Sequence, residues 1–151
     1  MDTTGVYCAK YKHIAAFLAL VAVIAVIFAF RYHFLHGDIS DVKIMPIDSE
    51  IYSEEDYKEA VRVVLDYFHE HYGDCKMTEI RYAGDDKRNM MKDWGENYGV
   101  DDVILLESDF KSGAVSGFTG PLEPHSTYHD WQWVLARNKG GAWKHRDHGY
   151  A

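Results

Sequence analysis

Polar and apolar positions follow two periods along this chain, and one stretch has no period at all. Residues 14–30, IAAFLALVAVIAVIFAF, run seventeen positions without a polar side chain. As a helix they cover ~26 Å at ~1.5 Å per residue, close to the ~30 Å hydrocarbon core of a bilayer. The run is apolar all round, so it is not the buried stripe of a surface helix. It predicts one transmembrane helix over 14–35, after an N-terminal tail of 1–13. Tyr32, Phe34 and Leu35 carry the helix through the interface while Arg31 snorkels outward.

A cleaved signal peptide is the rival reading. The run is longer than the ~7–15 residues of a signal core, and its end, Ile27 to Arg31, lacks a small-x-small cleavage site. Lipoprotein processing also fails, because Cys8 precedes the run instead of following it. Lys10, Lys12 and His13 flank one side, against Arg31 and Lys43 on the other. That bias places the N-terminus inside and the C-terminal domain outside, in a single-pass cell-membrane protein.

Helical and strand periods follow. Residues 36–50, with Gly, Pro and Asp punctuation, read as a linker or an irregular first strand. Ser53 then caps a helix whose first turn holds Glu54, Glu55 and Asp56. Tyr57, Ala60, Val61, Val64, Leu65, Phe68 and Tyr72 recur at three- and four-residue steps until Gly73 stops it. Cys75 to Tyr82 reads as a strand, and Asp85 is placed to cap a second helix. That helix shows Met91, Trp94 and Tyr98 on its apolar face and ends at Gly99. Val103 to Leu106 is a buried strand continuing to Phe110, and Lys111 to Pro124 a loop. Trp131, Trp133 and Leu135 alternate with Gln132, Val134 and Ala136, and Asn138 to Gly141 supplies a hairpin turn. The expected fold is α+β: residues 51–151 form one small domain, a long helix packed on an antiparallel sheet that ends in a β-hairpin.

Charge narrows the partners. After Arg31 the chain has 13 basic against 23 acidic residues, a net of −10, which repels phosphate backbones and excludes nucleic acid. With the anchor at 14–35, the two cysteines, Cys8 and Cys75, fall on opposite sides of the membrane. They cannot pair within one chain, and Cys75 reads as a small buried residue at a strand start.

The end of the chain carries a resemblance. Ser126-Thr127-Tyr128, the run from Asp130 to Arg137, Gly141-Ala142-Trp143 and Asp147-x-Gly149-Tyr150 resemble a bacterial family of unknown function, made of small membrane- or lipid-anchored proteins. The similarity extends back through the Ser53-started helix, Gly73-x-Cys75 and Ile80-Arg81-Tyr82. It implies an abridged cystatin-like, nuclear-transport-factor-two-like fold: a helix cradled by a curved antiparallel sheet. That fold hosts many activities and sets none. His125, His129 and His148 depart from the family pattern, which has Asn, a small polar residue and Trp there.

Candidate chemistry gathers at the hairpin. His125, His129, Asp130, His145, Asp147 and His148 are the metal-ligating candidates. If the strands pair so that Trp131 meets Asp147, the two clusters approach at the open end. Period two, however, sends His145 and His148 to opposite faces, and no HExxH or paired-cysteine site is present. The ordinary role of such residues beside a loop is as exposed polar side chains, so neither a metal nor another cofactor is expected. Trp131, Trp133 and Trp143 are candidates for a binding platform, set against their ordinary role as core. No catalytic residue is assigned, and Cys75 with a histidine has no local signature of a dyad. The function read from the sequence is therefore a membrane-anchored, non-enzymatic binding or accessory module for a protein, peptide or envelope partner. The alternative is a small hydrolase or metal-dependent enzyme using the His/Asp groups.

Overall fold

The computed structural model describes residues 3–114 and 122–150, with side chains from 14 onward except 30 and 33. Residues 115–121 of the predicted loop lie outside the described residues. The chain divides into two compact units, Met1–Phe34 and Leu35–Ala151. In the first, one continuous helix, α1 (Thr3–Leu35), includes most of the expected tail. Residues 14 to 29 are apolar all round the helix, and every described side chain among them is exposed. Among the described residues no helix is long and apolar enough to cross a membrane.

The second unit is α+β. Its elements are β1 (Lys43–Ile44), α2 (Glu54–His71), β2 (Cys75–Tyr82), a 3-10 turn (Asp85–Lys87), α3 (Arg88–Tyr98), β3 (Asp102–Ser112), β4 (Thr127–Arg137) and β5 (Lys144–Gly149). They build a five-stranded sheet in the order β1-β2-β3-β4-β5. The sheet is mixed, not purely antiparallel: β1 runs parallel to β2, and the other pairs are antiparallel. Residues 36–50 thus supply the irregular first strand, the second of the two readings of that segment. Asp38 also bridges to Lys76 there.

Helix α2 forms as its sequence dictates. The Ser53 side chain accepts from the Asp56 amide, and the Asp56 carboxylate accepts from the Ser53 amide, closing a capping box. Its stripe of Tyr57, Ala60, Val61, Val64 and Phe68 is buried against the sheet. Helix termination differs from the expectation. Tyr72 is the C-cap and Asp74, not Gly73, takes the left-handed conformation, at φ 57°. Asp tolerates that region because its short side chain bonds locally. Asp85 does not cap α3 by a side-chain bond either. Its carboxylate instead accepts from the Ser49 hydroxyl, the Glu50 amide and the Tyr82 hydroxyl, tying the loop before α2 to β2. Gly99 ends α3 with φ 63°, as its position predicts.

Both faces of the sheet are covered in part. Residues paired across strands share a face, so Ile104, Leu106, Trp133 and Leu135 lie on the side of α2, where Phe68 meets Trp133. Val103, Leu105, Val134 and Ala136 face the other way and are buried too. Helix α3 lies there, close enough that a Cβ on Gly95 would sit 3.7 Å from Val103. Arg137 joins the layers: it bonds Asp56 at 2.6 Å and Asp102 at 3.0 Å, and its guanidinium lies 4.0 Å over the Trp143 ring.

Candidate functional site

Hairpin register decides which candidate side chains meet. Leu135 pairs with His145, but Val134 pairs with Asp147, so Arg146 is an extra residue in β5. This bulge corrects the expectation that His145 and His148 face opposite ways. Both turn toward α2, with His148 Nδ1 3.1 Å from His145 Nε2. The pairing also corrects the expected register, because Trp133, not Trp131, lies opposite the Asp147–His148 segment. The turn runs from Asn138 to Trp143, longer than the four residues that set the expected pairing.

Two rings stack in line with His145. The Tyr67 ring lies between His71, at 4.1 Å, and His145, at 3.9 Å, with small interplanar angles of 13° and 25°. His148 sits 5.4 Å from Trp133 and 5.7 Å from Tyr72. Burial disfavours charge on both hairpin histidines. It brings His145 from 6.5 to about 4, with His148 adding like-charge repulsion, and it lowers His148 also. The Tyr72 phenol is raised by burial, with the Trp131 indole pulling the other way. Yet neither the Tyr72 hydroxyl nor the Trp131 N–H makes a hydrogen bond of ordinary geometry.

His129 and Asp130 lie on the opposite face. Between Phe110↔Tyr128 and Ser108↔Trp131, β4 carries one extra residue, and Asp130 has φ 55°. His129 Nδ1 is 2.6 Å from an Asp109 oxygen, and Asp130 pairs with Arg81. Arg81 also meets Asp109 at 3.1 Å, Glu79 at 3.3 Å and Glu107 at 3.5 Å. Burial works to raise Asp109, but its bonds with His129, the Asp130 amide and Arg81 outweigh it and lower the carboxyl. Burial raises Glu107. This cluster is a satisfied ion network on a partly solvated face.

The remaining candidates lie elsewhere. His125 sits at the turn before β4, with φ 54° and its amide bonded to the Gly113 carbonyl. Asp147 shares the face of Val134, and its carboxylate accepts from the His148 amide. Among the described residues, no three His, Cys, Asp or Glu side chains gather around a common metal position. Trp133 is fully buried, its indole N–H donating to the buried Ser108 hydroxyl at 2.8 Å, and Trp143 is buried beneath Arg137. Trp131 is half-buried against Tyr128 and Tyr150. Cys75 is a free, buried thiol that burial pushes up to about 11, leaving little thiolate near neutrality.

Two open clefts carry none of the predicted side chains. One, of about 460 Å³, is lined by Tyr52, Arg88, Met91 and Val103; the other, of about 570 Å³, by Ile44, Pro46, Ile47 and Tyr57. Sequence reasoning missed Tyr67 and His71 as neighbours of the hairpin histidines. Their four-residue spacing on α2 was the available signal, since it puts both rings on one helix face.

No family model, curated protein or solved structure matches this chain.

Proposed function

We propose that this chain is a single-pass, membrane-anchored and non-enzymatic binding or accessory module. On this reading 14–35 spans the bilayer, the N-terminus lies inside, and the α+β unit lies outside, where it engages a protein, peptide or envelope component. One observation carries the anchor: the described side chains from 14 to 29 are all apolar and all exposed on one continuous helix. A stretch of that kind in water is unfavourable, and lipid removes the cost. These sixteen residues measure ~24 Å, short of the ~30 Å core. The sequence from Phe30 to Leu35 supplies the remainder.

The scatter of the candidate side chains supports the binding role over the hydrolytic alternative. His129 and Asp130 are engaged on one face while His145 and His148 turn to the other, so a hydrolytic reaction has no shared point among them.

Carbonate washing of membranes from expressing cells tests the anchor, and external protease on intact cells tests the orientation. The protein should stay in the pellet and lose its C-terminal unit to protease. Release by carbonate refutes the anchor, and protection in intact cells refutes the orientation. Crosslinking in intact cells should trap a partner through the α+β unit; its failure across several chemistries refutes the binding role.

A further inference from the structure

We propose that His145 and His148 form a two-histidine chelate for a divalent transition-metal ion, with copper(II) bound most tightly. Two metal–nitrogen bonds of ~2.0–2.1 Å at 90–110° place their nitrogens about 2.9–3.4 Å apart. His148 Nδ1 and His145 Nε2 are hydrogen-bonded at 3.1 Å, a separation inside that window, and the metal would take the place of the proton the two rings share. The Arg146 bulge creates this arrangement, since a regular strand would send the two rings to opposite faces.

The surroundings suit a cation held by neutral imidazoles. Burial disfavours the charged form of both rings, and a metal needs the uncharged form. Tyr67 stacks on His145 and Trp133 lies beside His148, limiting ring rotation. Among the described residues no third His, Cys, Asp or Glu joins the pair, so the other coordination positions fall to water. Imidazole donors favour copper in the general order of divalent affinities. The existence of the site is independent of whether α1 spans a membrane.

Metal-free full-length chain in detergent, titrated with copper(II), tests this. One copper should bind per chain and quench tryptophan emission, because Trp133 lies beside His148. His145→Gln and His148→Gln should each weaken binding at least tenfold, while His129→Gln leaves it unchanged. In the unsubstituted chain, paramagnetic broadening of imidazole signals should reach His145 and His148 first. This arm stands even if a variant fails to fold. Absence of binding, affinity unchanged from the parent in the His145→Gln and His148→Gln variants, or earlier broadening at other histidines overturns the site.

Discussion

Acidification from pH 7 to 5 should weaken the α+β unit through His145, and the size of the loss can be worked out. The unfolded ring titrates at 6.5 and the folded ring at about 4. The unfolded chain therefore takes up the proton first, and stability falls as pH drops through 6.5 towards 4. Taken at full strength, the shift removes about 2 kcal/mol by pH 5. The ring is only half-buried, so solvent screening reduces this to about 1 kcal/mol. His148 acts in the same direction. Carboxylates held low by their partners, such as Asp38 at about 2 and Asp109, lose their contribution only as pH falls through the ordinary carboxylate range and below. Half-buried Glu107, raised by desolvation, works the opposite way but equally in variant and parent. The assay is urea unfolding of the full chain, with EDTA present, followed by tryptophan emission. All four tryptophans lie beyond residue 35, so the signal reports the α+β unit alone. His145→Gln should remove about 1 kcal/mol of the difference between pH 7 and pH 5. An unchanged pH dependence in the variant would refute the assigned burial of this ring.

Two other perturbations test the core. Trp133→Phe leaves the buried Ser108 hydroxyl without its indole partner, so it should cost about 2–3 kcal/mol, and adding Ser108→Ala should recover about 1 kcal/mol in a double-mutant cycle. Gly37→Ala should destabilise by about 1–3 kcal/mol in thermal melts, because the new methyl would lie 2.6 Å from the Phe68 carbonyl oxygen; an unchanged melting temperature refutes that close approach.

Much of the fold was legible because single elements obey single periods. The stripe from Tyr57 to Tyr72 predicted α2, and Ser53 with Asp56 gave its start before any contact was known. The uninterrupted Val103-Ile104-Leu105-Leu106 read as a buried strand, and it is buried on both sides, with α2 on one and α3 on the other. Parallel pairing of β1 was not legible, since two residues carry no period and their partner strand lies more than thirty positions on. The site was illegible for a related reason. A bulge is set by the length of the hairpin turn and by the facing strand, neither of which appears in the pattern of β5 itself. Period two thus separated His145 from His148 on paper although the folded strand unites them.

The same backbone device occurs three times in this sheet, and it explains how the two faces acquire different chemistry. In β2 the inward pair is Met77 and Ile80, in β4 Tyr128 and Trp131, and in β5 His145 and His148. Each pair is spaced by three instead of two, because one residue has been inserted between them. The inserted positions push two neighbours outward together: Thr78 with Glu79, His129 with Asp130, and Arg146 with Asp147. Two of these bulges flank Asp109 from either side. Thr78 bonds the Asp109 carbonyl, and His129 and the Asp130 amide bond its carboxylate, which with Arg81 closes the outer ion network. On the inner side the same insertions place Trp131 and His148 over Tyr72, and bring His145 to Tyr67. Regular strands of this composition would mix charge and aromatic rings on both faces. Around the bulges they are sorted: Arg81, Asp109 and Asp130 meet on the outer side, while His145 and His148 face the aromatic rings on the inner one, with their ring nitrogens toward each other.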